Sequence, residues 1–85
     1  MANLAVAESG EKLSAAQQAF YSGDYIAAKS GFSQVAAQGS AEAEYFLGLI
    51  AKNDADTTDY LAAKSHFTKA ARLNHSQAMW ELGVL

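Results

Sequence analysis

The side chains of this chain that could carry chemistry are few and widely spaced. Its two imidazoles are His66 and His75, and neither stands four residues from another metal donor. A metal needs several convergent donors, and no such set is visible. Both histidines are expected at the surface. Glu42 and Glu44 lie two apart, which on a helix turns them to different sides and argues against a working acid–base pair. The acidic run Asp54-Ala55-Asp56-Thr57-Thr58-Asp59 has the look of a calcium loop. However, Asp59 holds the place of the sharp-turn Gly, and Ser65 that of the bidentate Glu. A solvated loop followed by a helix cap is expected instead. No Gly-rich phosphate loop follows a strand, and Ser, His and acid share no recognisable context. A chain of 85 residues can hardly spare the walls of a catalytic pocket. The reading is a protein that is not an enzyme and uses no cofactor or metal.

The elements that must position these groups are helices. Leu13, Ala16, Ala19 and Phe20 recur at helical spacing, and Gly23-Asp24 breaks that run. Asp24 then suits the N-cap of a second helix with Tyr25, Ala28, Phe32, Val35 and Ala36 on one stripe. Gly39 fits the left-handed position that ends it. Ser40 can cap a third helix, with Ala43, Phe46, Leu47 and Ile50 inward. After the acidic loop, Asp59 caps a fourth helix striped by Tyr60, Ala63, Phe67, Ala70 and Ala71. Asn74 stands where Gly39 stood, and a last helix runs from about Ser76.

These helices repeat. Asp24-Tyr25-Ile26-Ala27-Ala28-Lys29-Ser30-Gly31-Phe32 returns thirty-five residues later as Asp59-Tyr60-Leu61-Ala62-Ala63-Lys64-Ser65-His66-Phe67. At the same offset Ala36 matches Ala71, Ala43 matches Ala78, and Leu47-Gly48 matches Leu82-Gly83. A constant offset through two helices and their loop marks stacked repeat units, which bury their apolar faces on each other. Gly in a helix interior costs roughly 1 kcal/mol against Ala. Its recurrence at Gly48 and Gly83 therefore predicts a second helix passing close by. Phe32 and Phe67 are the large knobs expected between neighbouring helices.

Composition agrees and excludes several classes. The hydrophobic share of 51% includes much Ala, and Pro and Cys are absent, which favours closely packed helices and removes disulfides. Net charge is −3, and the six basic residues are spread along the chain, so no nucleic-acid footprint is expected. No apolar run approaches the length of a membrane span, and no targeting segment is evident, so the cytoplasm is the default compartment. Residues 1–10 are weakly patterned and expected to be weakly ordered; 11–85 form the repeat domain.

Ala41-Glu42-Ala43-Glu44-Tyr45-Phe46-Leu47-Gly48, Asp59-Tyr60-Leu61-Ala62-Ala63 and Phe67-Thr68-Lys69-Ala70 together resemble a tetratricopeptide-type repeat. The longer loop before Asp59, with Lys69-Ala70-Ala71, is similar to the Sel1-like variant. The first hairpin, with Gly23-Asp24-Tyr25, has the shorter ordinary loop. Thr58 stands where a Gly normally precedes Asp-Tyr, and the usual Pro at the following turn is missing. The resemblance covers roughly residues 13–85. It implies an all-α fold, an α-α superhelix or solenoid of about two helical hairpins plus a final unpaired helix. It also implies a concave groove for a protein or peptide partner, lined by Glu42, Tyr45, Leu49, Lys52 and Asn53, and by Gln77, Trp80 and Val84 at the matching positions.

The function that follows is a non-enzymatic protein–protein interaction module. The alternatives are an immunity or inhibitor protein for a cognate toxin and a structural, self-assembling segment of a longer solenoid. Nucleic-acid and membrane partners are not expected. The final helix has no successor to cover it, so Met79, Leu82, Val84 and Leu85 are expected to be partly exposed, and this end to be covered either by a second copy in a symmetric homodimer or by the partner itself.

Overall fold

The computed structural model describes the backbone of residues 2–53 and 59–84, and the side chains of residues 10–53 and 59–83. Among the described residues there are five α-helices and no strand: α1 (Ala2–Ser22), α2 (Tyr25–Ala36), α3 (Ala41–Asn53), α4 (Tyr60–Arg72) and α5 (Ser76–Val84). Helix α1 thus begins at Ala2, ahead of the apolar stripe that opens at Leu13.

Local chemistry explains where each helix starts and stops. The first N–H groups of a helix have no partner within it and need an acceptor from outside. Asp24 supplies one to the Ala27 N–H at 3.2 Å, and Asp59 to the Ala62 N–H at 2.9 Å. Ser40 Oγ accepts from the Ala43 N–H at 3.2 Å. Asp59 is thus a cap, and residues 54–58 of the acidic run lie outside the described residues. The Asp59 N–H donates back to the Ala51 carbonyl at 3.0 Å, which ties the start of α4 to the end of α3. Gly39 (φ 93°) and Asn74 (φ 66°) both take the left-handed conformation expected of them. Asn tolerates it better than most side chains.

The helices pack chiefly on their chain neighbours, but their apolar side chains divide into two clusters. The first joins α1, α2 and α3 around Phe32, which stacks on Phe46 at 4.7 Å with ring planes 4° apart. The second joins α4 and α5 around Ala63, Phe67, Ala70 and Ala78. Phe32 and Phe67 are the two largest fully buried side chains. Removing either to Ala costs about 3–5 kcal/mol, a large part of what a domain of this size has. Tyr45 and Leu49, half-buried on α3, touch both clusters and tie them together.

The close approach predicted at Gly48 is present: a Cβ placed there would lie 2.5 Å from Phe67 Cε1. Its repeat mate Gly83 has nothing within 4 Å, since no helix follows over it among the described residues. Gly31 makes an approach that repetition could not reveal. A Cβ there would come 2.8 Å from that of Ala16, while the matching residue in the second copy is His66. Tyr25 and Tyr60 depart from the expected stripes and are exposed. Each is the first residue of its helix, at the edge of the packed region, and Tyr25 only leans its ring on Phe20 at 5.5 Å.

Candidate functional site

Helix α3 meets α1 and α5 as well as its chain neighbours. Phe20 and Tyr21 of α1 set ring edges against Phe46 of α3, with centroids 5.2 and 6.2 Å apart. Two polar links run from α3 to the far side. His75, the residue ahead of α5, donates from Nε2 to Glu42 Oε2 at 2.8 Å. Lys52 Nζ donates to Glu81 Oε2 at 2.7 Å. Tyr45 stands between these links, its ring stacked on the His75 imidazole at 4.6 Å and touching Phe46 and Phe67 at 5.6 and 6.0 Å.

Both nitrogens of His75 are committed. Its Nδ1 accepts from the Ala78 N–H at 3.2 Å and so carries no proton, while Nε2 holds the proton given to Glu42. The hydrogen-bond network therefore assigns the Nε2–H tautomer. His75 is the N-cap of α5, at the repeat position that Ser40 fills for α3. His66 likewise pairs with Glu44, Nδ1 to Oε2, at 2.7 Å. Neither histidine is the free surface group expected, because each joins a carboxylate of α3 to a later element. Glu42 and Glu44 do point apart, each to its own imidazole. Among the described residues, no three His, Cys, Asp or Glu gather where they could hold a metal ion.

The surroundings of Tyr45 act on its phenol. Burial, and then the negative charges of Glu81 and Glu42 with a further push from Tyr21, raise it above its ordinary 10.0, and Lys52 opposes them. Groups from α1, α3 and α5 are thus all felt at one hydroxyl. Glu81 is the buried charge here, tied to Lys52, and it occupies the repeat position of Phe46.

Of the residues expected to line a groove, Glu42, Tyr45 and Lys52 come together around His75 and Glu81. Leu49 lies half-buried against both core clusters, and Asn53 and Gln77 are exposed at the surface. Trp80 is 67% exposed. The side chain of Val84 lies outside the described residues. Tyr45 and Trp80 are therefore unlike in burial although they share a repeat position. His75 and Glu81 were not anticipated. The signal for both was in the alignment of the copies, where a cap changed from Ser to His and a core Phe to a carboxylate.

The basic residues are less scattered than their spacing suggests. Lys29, Lys64, Lys69 and Arg72 are on α2 and α4, two helices that contain no acidic residue, while Glu42, Glu44 and Glu81 are on α3 and α5. Lys64, Lys69 and Arg72 line one shallow groove along α4 with Leu61, Ser65 and Thr68. No described helix is long and apolar enough to cross a membrane. No protein-family model, curated protein or solved structure matches the chain.

Proposed function

We propose that the chain is a non-enzymatic protein–protein interaction module of the Sel1-like, tetratricopeptide type. It binds a partner protein or peptide across α1, α3 and α5 of a right-handed superhelical stack. One observation carries this reading: Tyr45 is held in a single orientation by Phe46, Phe67 and His75, beside Tyr21, Glu42, Lys52 and Glu81. A rigid aromatic with a polar tip, ringed by polar groups from three helices, loses little freedom on docking. Trp80, exposed at the matching position of α5, extends the same surface and supplies an anchor of the kind that dominates interface energies.

The acids and bases around Tyr45 are spent on each other, which supports a positioning role for them and not a catalytic one. The inhibitor version draws less support, because Glu42, Glu44 and Glu81 each already face a histidine or lysine. A tagged chain recovers the partner from the native host, and the purified pair is then titrated. Trp80→Ala should weaken binding by about 2 kcal/mol, near thirtyfold, with the melting temperature held. Unchanged affinity in both Trp80→Ala and Tyr45→Ala would overturn the assignment.

A further inference from the structure

We infer that the outer flank of α4 is a separate docking surface, which takes an acidic helical segment of another protein lying along it. Its lining is the shallow groove of Leu61, Lys64, Ser65, Thr68, Lys69 and Arg72. These residues recur at three- and four-residue spacing, so they form one stripe from the first turn of α4 to its last residue. The stripe shares no residue with the surface built around Tyr45 and Trp80.

The exposure of this flank does not depend on what comes after α5. Thirty-five residues earlier, α2 carries the same flank as Ile26, Lys29, Ser30, Ser33, Gln34 and Ala37. All six are exposed although α3, α4 and α5 follow them. Ile26 is 88% exposed and Leu61 82%. Both helices pack through the opposite side, where Ala28, Phe32 and Val35 are buried in α2 and Ala63, Phe67 and Ala70 in α4. A further unit stacked in the same register would leave the α4 flank as open as the α2 flank is.

The two flanks differ in charge. Lys69 and Arg72 stand where α2 has Gln34 and Ala37, so the α2 stripe has Lys29 alone and the α4 stripe has three cations. Cations in a last turn favour a helix through its dipole, which would by itself account for Lys69 and Arg72. Yet α2 ends with no base in its last turn, so the fold does not require them. Lys64, eight residues before Arg72, is beyond the reach of that effect. The ion pairs among the described residues take up Lys52 and both histidines and leave these three cations unmatched. The partner must supply the carboxylates.

Spacing narrows the ligand. Lys64 and Lys69 are about 7.5 Å apart along the axis, and Arg72 is about 4.5 Å farther on. A helical segment with carboxylates on one face and an apolar residue set against Leu61 matches that stripe. A nucleic acid fits it poorly, because no aromatic ring lines the groove to stack a base and Leu61 has no counterpart in a phosphate backbone. A lipid surface needs a broader apolar face than Leu61 supplies. Exposed charge pairs contribute little each, so binding is weak and sensitive to salt.

The test is an NMR titration of the isotope-labelled chain at low salt. The probe is an Ala-based peptide of about twelve residues with one Leu and three Glu at helical spacing. Amide shifts should gather on residues 61–72, reach half-saturation below about 1 mM, and fade in about 0.5 M salt. The same peptide with Gln for Glu should not bind. Lys64→Glu with Arg72→Glu should weaken binding at least about tenfold and take up the peptide with Lys for Glu instead. Leu61→Ser should weaken it about threefold or more, which a charge effect alone would not do. All three residues are exposed, and circular dichroism confirms that the variants fold. Half-saturation not reached by about 1 mM overturns the proposal. So do shifts centred on another face, equal binding of the Gln peptide, or an unchanged affinity in Leu61→Ser. Tighter binding to phosphatidylserine vesicles or to oligothymidylate than to the peptide overturns it in favour of a lipid or nucleic-acid ligand. The variants leave Tyr45 and Trp80 untouched, so this surface and the partner site fail separately.

Discussion

Phe67 lies so close over Gly48 that even a Cβ at that position would sit 2.5 Å from the ring. The ring is fully buried and cannot swing aside cheaply. Gly48→Ala gains roughly 1 kcal/mol of helix propensity but overpacks the contact by about 1–3 kcal/mol. Against a ring only 2.5 Å away the upper part of the overpacking range applies, and the net loss is up to about 2 kcal/mol. Urea denaturation of the variant measures it. A midpoint equal to or above that of the parent chain would mean that α3 and α4 separate easily.

The raised phenol of Tyr45 predicts a particular alkaline weakness. In the unfolded chain it ionises near 10.0, and in the fold only above that. Its contribution to stability is complete below pH 10.0 and is lost as pH rises through the folded value, because the unfolded chain releases its proton first. Tyr45→Phe should therefore flatten the fall in melting temperature above that pH. Equal slopes in the two proteins would place the alkaline loss elsewhere.

Lys52 and Glu81 form a half-buried pair whose members have unequal exposure, the carboxylate being the deeper. Lys52→Met strands that carboxylate and should cost about 1–3 kcal/mol. Adding Glu81→Leu restores most of the loss, since an apolar pair of similar volume replaces buried ions at little cost. A double variant no more stable than Lys52→Met would show that the charge was never the problem.

His75 has a capping role separable from its other contacts. His75→Ser keeps an oxygen for the start of α5, as Ser40 does for α3, but gives up Glu42 and the stack on Tyr45. His75→Ala gives up all three. The Ala variant should be less stable than the Ser variant by about 1 kcal/mol, the usual worth of an N-cap. Identical thermal midpoints would remove the cap from the account.

Much of the helical framework was legible because it is written in residues that act locally. Asp24, Asp59 and Ser40 cap because of their own oxygens, and Gly39 and Asn74 turn because of their own backbone freedom. The repeat made Phe32, Phe67 and Gly48 readable as contact positions before any contact was seen. What stayed hidden depended on breaks in that repetition. Gly31 packs on Ala16 where the other copy has His66, and Glu81 enters a core position that the first copy fills with Phe46. Tyr25 and Tyr60 were misplaced because helical periodicity says which side a residue is on, not whether a neighbour extends far enough to cover it.

The division of charge between the helices has a consequence beyond either surface. Lys29, Lys64, Lys69 and Arg72 are on α2 and α4, whose acids are confined to the caps Asp24 and Asp59, and Glu42, Glu44 and Glu81 are on α3 and α5 with Lys52. A net charge of −3 describes it only from far away. Within about 8–10 Å, the screening distance in physiological salt, an approaching body feels the particular side chains it nears and not the net charge. What is felt in the last moments of an encounter is therefore set by which helix carries which residue, whatever the partner is.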